Sequence, residues 1–308
     1  MASTQTQSFA KRFKKNRTLF FMSLPGIVYK LIFAYLPMLG LVIAFKNYRY
    51  DLGIFGSEWV GLKNFRFFFE SDKAWLITRN TVLYNVGFFV ATTVVSVLLA
   101  ILLNELSRKL IKAYQTVMFL PHFLSWVVVS YIVFAFLDHD NGFVNQALTS
   151  LGFDPVSWYQ EASRWPWILN LTNLWKTIGM QTLIYYAGVI AIDTGYYEAA
   201  KIDGASKWRM MTRITVPLLV PLVVIFFIMA MGGVFRADFG LFYMVPNDSA
   251  FVYSTTDVID TYIYRVLRTI NDLGMSTAVG FYQSLVGFVL VLASNAVVKK
   301  INSDNAMW

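Results

Sequence analysis

The sequence predicts an all-α membrane protein of six transmembrane helices, joined by loops too short to form separate soluble domains. Three observations predict it. Of the 308 residues, 57% are hydrophobic and only 14% charged, against roughly 25% charged in soluble chains, and the mean hydropathy is +0.53. Six apolar runs reach the ~20 residues that a helix needs to cross the hydrocarbon core. The excess of Lys and Arg also alternates from one inter-run segment to the next.

The runs are Leu19–Phe45, Asn80–Leu103, Tyr114–Leu137, Pro166–Ile192, Ile214–Phe235 and Gly274–Val298. Pro25 and Pro37 in the first and Pro121 in the third mark ends or kinks, which neighbouring helices can accommodate. The basic stretch Lys11–Arg17 precedes a run that is too long for a signal peptide and lacks a small-residue cleavage site, so it reads as a topological anchor. With the N-terminus in the cytoplasm, residues 1–18, 104–113, 193–213 and 299–308 lie inside and carry 14 Lys/Arg and 5 Asp/Glu, whereas the outside segments carry 10 and 13. That asymmetry follows the positive-inside rule and places both termini inside. The expected organisation is a basic cytoplasmic N-terminus (1–18), one membrane domain (19–298) and a cytoplasmic tail (299–308). The net charge of +8 is then topological and implies no nucleic-acid partner.

Several chemistries are excluded or unsupported. With no Cys there are no disulfides, thiolate metal sites or Cys nucleophiles. His122 and His139 are the sole histidines and leave little for metal binding. No G-x-x-x-x-G-K-[ST] phosphate loop is present, so the chain is not its own ATPase. Neither a Ser/His/Asp set nor an H-E-x-x-H motif appears, and paired carboxylates occur only in loops, as at Asp138/Asp140. The chain is read as non-catalytic, without cofactor or metal.

The outside segments carry "WVGLKNF" (Trp59–Phe65), an aromatic-rich stretch ending at Trp165, and "TTDVIDTYIYRVL". In the last, Thr256 or Asp257 is expected to cap a short helix with Val258, Ile259, Tyr262 and Val266 on one face. The unusual segment is inside: "YYEAAKIDGASKWRMMTRITVPLLVP", Tyr196–Pro221. Small residues surround a bend at Asp203-Gly204, where Gly permits positive φ. Ile202, Trp208, Met211 and Ile214 supply apolar surface, while Glu198, Lys201, Asp203, Lys207, Arg209 and Arg213 supply charge. Pro217 and Pro221 mark the entry to the next span. Two readings stay open from spacing alone: a helix laid into a groove on a partner, or an amphipathic helix lying on anionic headgroups of membrane lipid.

"EAAKIDGA" followed by "ITVP" resembles the EAA loop of binding-protein-dependent ABC importer permeases. Glu198, Ala199, Ala200, Asp203, Gly204, Ala205, Ile214 and Pro217 match its pattern, and Met211 departs where an aromatic residue is common. "WVGLKNF", "LPHFLSWVVVS" (Leu120–Ser130), "DVIDTYIYR" (Asp257–Arg265) and "STAVGFYQSLVGFVLVLASN" (Ser276–Asn295) resemble the LplB-type branch, which imports oligo- and polysaccharides. The resemblance implies a bacterial cytoplasmic-membrane permease whose loop 193–213 is a coupling helix docked on an ATPase. It also implies the partners: two ATP-binding subunits, a second homologous permease, an extracellular substrate-binding lipoprotein and an oligosaccharide, acidic ones included.

A translocated sugar calls for aromatic faces and amide or hydroxyl partners inside the spans. The candidates for the substrate path are Trp126, Asn173, Trp175, Lys176, Gln181 and Gln283, with Asn85, His122 and Ser125 beside them. Asn173, Lys176 and Thr177 are expected to share one face of the fourth span, with Lys176 serving an acidic sugar. For each there is a plainer role: snorkelling or pairing with a loop carboxylate for Lys176, packing for the tryptophans, and inter-helix hydrogen bonding for Asn85 and Gln283. The alternative function is an ion-coupled secondary transporter of a small polar solute. The six spans contain no Asp or Glu, which argues against proton coupling but leaves sodium open.

Overall fold

The computed structural model describes residues 9–301 and 306–307; residues 1–8 of the basic N-terminus, and 302–305 and 308 of the tail, lie outside them. The described chain is almost wholly helical and forms two compact units. One runs to Phe67 and includes Asp272–Phe281; the other comprises Phe68–Asn271 and the segment from Tyr282 onward.

In the first unit, α1 (Phe9–Lys30) kinks at Asn16, near the end of the basic stretch and just ahead of the first apolar run. It contains Pro25 without breaking. It continues through a π-helical turn, Leu31–Tyr35, into a 3₁₀ stretch, Leu36–Phe45, with Pro37 at its start. Proline lacks an N–H and displaces the preceding turn, so the hydrogen-bond register shifts ahead of it. The described side chains from Asn16 to Leu39 are exposed, so the apolar face of this segment is not covered by the chain itself. Beyond it, β1 (Lys46–Asn47) pairs antiparallel with β2 (Glu58–Trp59).

The "WVGLKNF" motif is a clamp on that ribbon. Trp59 stacks on Phe45 at 5.6 Å, Phe65 packs on the same ring at 5.3 Å, and Asn64 Nδ2 donates to the carbonyls of Ala44 and Lys46 at 2.9 and 3.0 Å.

The second unit is organised by α2 (Asp72–Asn104) and α5 (Trp165–Ile190), which pack along one another. Between them in sequence lie α3 (Arg108–Phe119) and α4 (Trp126–Leu137). After α5 come α6 (Thr194–Ile202), α7 (Lys207–Met210), α8 (Val216–Gly233), α9 (Ile259–Ile270) and α10 (Leu273–Ile301). A core around Tyr84, Trp165, Leu169 and Phe242 occupies one end, and a second around Ala100, Tyr185, Val189 and Leu219 the other. One face of α2 is a hydrogen-bonding rail for the 234–259 segment. Asn80 Nδ2 donates to Asp257 O at 3.0 Å, Tyr84 Oη to Thr255 O at 2.9 Å, and Asn85 Nδ2 to Val234 O and Arg236 O at 3.1 and 2.9 Å.

Three expectations can be compared with the structure. The kink expected at Pro121 is present and sharp: α3 and α4 are bent by 100° across the 3₁₀ turn Leu120–Phe123. Pro121 cannot continue the helical ladder, and Ser125 starts a new helix by accepting from Val128 N at 3.3 Å. Second, Pro217 and Pro221 do not begin the helix of the fifth run. The helix starts at Lys207 and runs to Gly233, passing through a π-helical turn, Met211–Thr215, that absorbs the carbonyl displaced by Pro217. Third, α9 begins later than expected, at Ile259, and its first turn is held by Thr261 Oγ1, which accepts from Val258 N and donates to Asp257 Oδ1 at 3.1 and 2.7 Å.

Four helices among the described residues are long and apolar enough to cross a membrane, and the bent pair makes a fifth. The fourth run, α5, has 26 residues, or roughly 39 Å at 1.5 Å per residue, but Asn170, Asn173, Lys176 and Gln181 dilute its hydropathy.

Close approach, not conformational freedom, explains Gly179. A Cβ there would lie 1.9 Å from the carbonyl oxygen of Met118, so α3 rests directly on the α5 backbone. Gly179→Ala is expected to separate the two helices and cost on the order of 2 kcal/mol, read as a lowered thermal midpoint of the purified protein. An unchanged midpoint would contradict this contact.

Candidate coupling loop and translocation path

The hairpin α6–α7 is built from local hydrogen bonds. Asp193 caps α6 by accepting from Gly195 N at 2.8 Å. At the other end Gly204 is left-handed, φ 72°; its N–H reaches Lys201 O at 3.0 Å, and Ala205 N reaches Ala200 O at 2.9 Å. This pair is a Schellman motif, which satisfies the last carbonyls of α6. Ser206 then caps α7, accepting from Arg209 N at 3.3 Å.

Glycine is needed at 204 for its φ, since a Cβ there would meet nothing within 4 Å. Glu198, Ala199 and Asp203 are exposed, and Ala200 and Ala205 are half-buried. Ile202 and Trp208 are 87% and 68% exposed, whereas Met211 is half-buried against the helices. The hairpin therefore offers its apolar side chains outward.

Two side-chain contacts tie the hairpin to the membrane helices. Tyr197 and Thr215 hydroxyls lie 2.8 Å apart, and Lys207 Nζ pairs with Glu105 Oε2, just beyond α2, at 2.5 Å. The ion pair is largely exposed and contributes at most ~1 kcal/mol. A cleft of about 660 Å³ opens between them, lined by Glu105, Tyr197, Glu198, Lys201, Lys207 and Met211 among others.

The residues proposed for the path divide. Asn173 and Gln181, with Thr177, line a cleft of about 290 Å³ opposite Asn85 and Thr92 of α2 and Met231 and Val234 near the end of α8. Lys176 is not on that face. At 100° per residue it stands a quarter turn from Thr177, and it is buried against the broken span. Its Nζ donates to Leu124 O, His122 O and Pro121 O at 2.5, 3.1 and 3.5 Å and lies 5.1 Å over the Trp126 ring. No carboxylate pairs with it among the described residues.

Trp126 in turn donates its indole N–H to Asp238 Oδ2 at 2.7 Å. Trp175 is exposed on another face. Gln283 is an inter-helix tie, donating to Phe235 O and Asp260 Oδ2 at 2.7 and 3.2 Å. Burial pushes the Asp260 carboxyl up from its ordinary value, against the hydrogen bonds from Ala237 N and Gln283 and the nearby Arg236 charge. Asp238, Tyr197, Thr215 and Glu105 were missed in sequence; no local signal marks contacts that span up to 112 residues.

The chain is thus a helical protein with several apolar spans, one of which runs unbroken into an exposed, capped hairpin. Residues 92–303 match the family described as "Binding-protein-dependent transport system inner membrane component", and the chain belongs to it. It is 36% identical to the polygalacturonan/rhamnogalacturonan transport system permease protein YteP of Bacillus subtilis (strain 168), over 94% of this chain and 90% of that protein. It is 33% identical to Protein LplB of the same strain, over 96% and 93%. The fold is that of a chain in a bacterial ABC transporter involved in the import of the acidic polysaccharide alginate, with TM-score 0.86 and 32% identity over 96% of this chain and 100% of that one.

Lys176 reads here as the donor that makes the broken span tolerable. Lys176→Met is expected to leave the carbonyls of Pro121, His122 and Leu124 without it and to destabilise the protein by on the order of 2 kcal/mol, with Lys176→Arg in between. Thermal midpoints in detergent measure this. A Lys that served only an acidic substrate would instead leave the midpoint unchanged.

Proposed function

We propose that this chain is the permease subunit of an ATP-driven importer that passes an oligosaccharide, acidic ones included, delivered by an extracellular binding protein. The observation that carries the reading is the hairpin 193–213. It is capped at each corner, turns Ile202 and Trp208 outward and is continuous through α7 with the span ending at Gly233. A displacement of such a hairpin is a displacement of the helix. In this reading two ATP-binding subunits hydrolyse ATP, one of them holding the hairpin, and a second homologous permease completes the pore. Both termini and the hairpin are cytoplasmic, and α5 is the further span that completes six.

The two states of the pore must bind the ATPases differently, because only differential binding shifts such an equilibrium. The sugar reading is supported by the relatives named for polygalacturonan/rhamnogalacturonan transport and for alginate import, the latter also solved with a pentasaccharide-bound periplasmic protein. Asn173, Thr177 and Gln181 facing Asn85 and Thr92 supply amides and hydroxyls for a polyol. Because Lys176 is occupied by backbone carbonyls, selection for substrate charge falls to the binding protein.

Gly204→Val places a β-branched residue at φ 72°, at a cost above ~1–2 kcal/mol, and Glu198→Lys reverses an exposed charge on the docking face. Each is expected to lower sugar-stimulated ATP hydrolysis by the reconstituted complex about ten-fold or more, with membrane insertion intact. Wild-type uptake in both variants would overturn the coupling role.

A further inference from the structure

Away from the hairpin and from the Asn173 cleft, two adjoining clefts share one wall. The first, about 420 Å³, is lined by Tyr131, Phe134, Tyr159, Tyr243, Asn247 and Asp248 among others. The second, about 440 Å³, shares Phe134, Tyr159 and Asn247 and adds His139, Trp158 and Phe251. Each falls within the ~300–1,000 Å³ of ordinary ligand clefts. The first runs along α4 from Val127 to Phe134 and the second lies where α4 ends, beside the 3₁₀ turn Trp158–Gln160 and the 243–251 segment.

Three features point to a ligand with ring faces and hydroxyls. The walls are aromatic: Phe134 lies 5.7 Å from Tyr159, and Tyr243 stacks on Phe239 at 4.8 Å and meets Tyr264 at 5.1 Å. Sugar rings pack on such faces. Tyr159 lines both clefts, and its hydroxyl is one of seven buried side-chain polar atoms without a hydrogen-bond partner among the described residues, each a cost of roughly 1–3 kcal/mol that a suitable ligand can offset. Burial, with the Asp138 charge, pushes this phenol up, so it stays a neutral donor and acceptor.

At the rim, Asn247 and Asp248 are both left-handed, φ 56° and 46°. Asp248 is anchored there by Arg265 Nη1 at 3.1 Å and Tyr253 Oη at 2.8 Å. The pairing neutralises the carboxylate and holds out the Asn247 amide, which is exposed and makes no side-chain hydrogen bond among the described residues. Neither cleft is lined by Lys or Arg, and Asp248 and Asp138 place carboxylates in their walls, so what they recognise is the hydroxyl frame of a sugar and not its acidic groups. An acyl chain would leave the amide and the phenol unanswered.

We propose that the paired clefts around Tyr159 are a loading subsite, holding a short glycan segment by its ring faces and hydroxyls before it passes the bilayer. This rests on the importer reading and adds a site to it.

The test uses the whole importer in lipid nanodiscs, with all other subunits cysteine-free. Since this chain has no Cys, Asn247→Cys introduces a single thiol at the rim and Trp167→Cys, on exposed surface outside both clefts, a control. The probes are galacturonic acid oligomers and malto-oligomers, and the working probe is whichever stimulates ATP hydrolysis by the wild type.

The saturating probe is expected to slow maleimide modification at 247 severalfold and not at 167, for acidic and neutral probes alike. Tyr159→Phe keeps the ring and deletes the unpaired hydroxyl. Its thermal midpoint is expected to equal or exceed that of wild type, while the probe concentration for half-maximal stimulation rises about three- to ten-fold.

Three results overturn the subsite and leave the importer intact: an unprotected 247 in a complex that hydrolyses ATP in response to the probe, equal protection by the unloaded binding protein, or an unshifted half-maximal concentration in Tyr159→Phe. If no probe stimulates the wild type, it is the importer reading that fails, and the subsite falls with it.

Discussion

Within a bilayer every backbone N–H and C=O must find its partner inside the protein, and the third apolar run breaks that rule at Pro121–Leu124. The structure answers with one ammonium. Lys176 donates to three carbonyls of the break and lies over Trp126, the first residue of the outgoing helix. Much of the second unit follows from this point. The 100° turn sends α4 towards Trp158 and Tyr159, Trp126 engages Asp238, and the outer clefts take their aromatic wall from α4. Burying a cation among neutral acceptors is costly, and here that cost is offset by three carbonyls of the break that receive the donor.

The same economy governs the other polar residues in the spans. Asn80, Tyr84 and Asn85 bond the 234–259 segment, and Gln283 bonds Phe235 and Asp260. Asn173, Thr177 and Gln181 of α5 line a cleft together with Asn85 and Thr92 of α2, although the Thr177 hydroxyl also donates to Asn173 O at 2.8 Å.

The hairpin 193–213 is the opposite case, stabilised almost wholly by local chemistry: an Asp cap, a Schellman corner at Gly204 and a Ser cap within fourteen residues of chain. Its links to the membrane helices are few, one hydroxyl pair and one exposed ion pair, so rigidity comes from the continuous helix below it. In the proposed coupling role, that division would let the hairpin move as a body with its span while presenting a fixed surface to a partner.

By itself the sequence determined the helical membrane class, the apolar runs and the hairpin with its family. Hydropathy, charge asymmetry and capping act over a few residues and can be read one window at a time. It also marked Pro121 as a weak point and "WVGLKNF" as a unit. Only the tertiary structure decided that Lys176 serves the break and not the cleft face, since its acceptors lie 52 to 55 residues away. It alone showed that Gln283 ties helices, that Trp175 faces away, and that Tyr159 is left with a buried, unpaired hydroxyl. Helical periodicity places a side chain on a face, but which neighbour that face meets is settled by packing between segments distant in the chain.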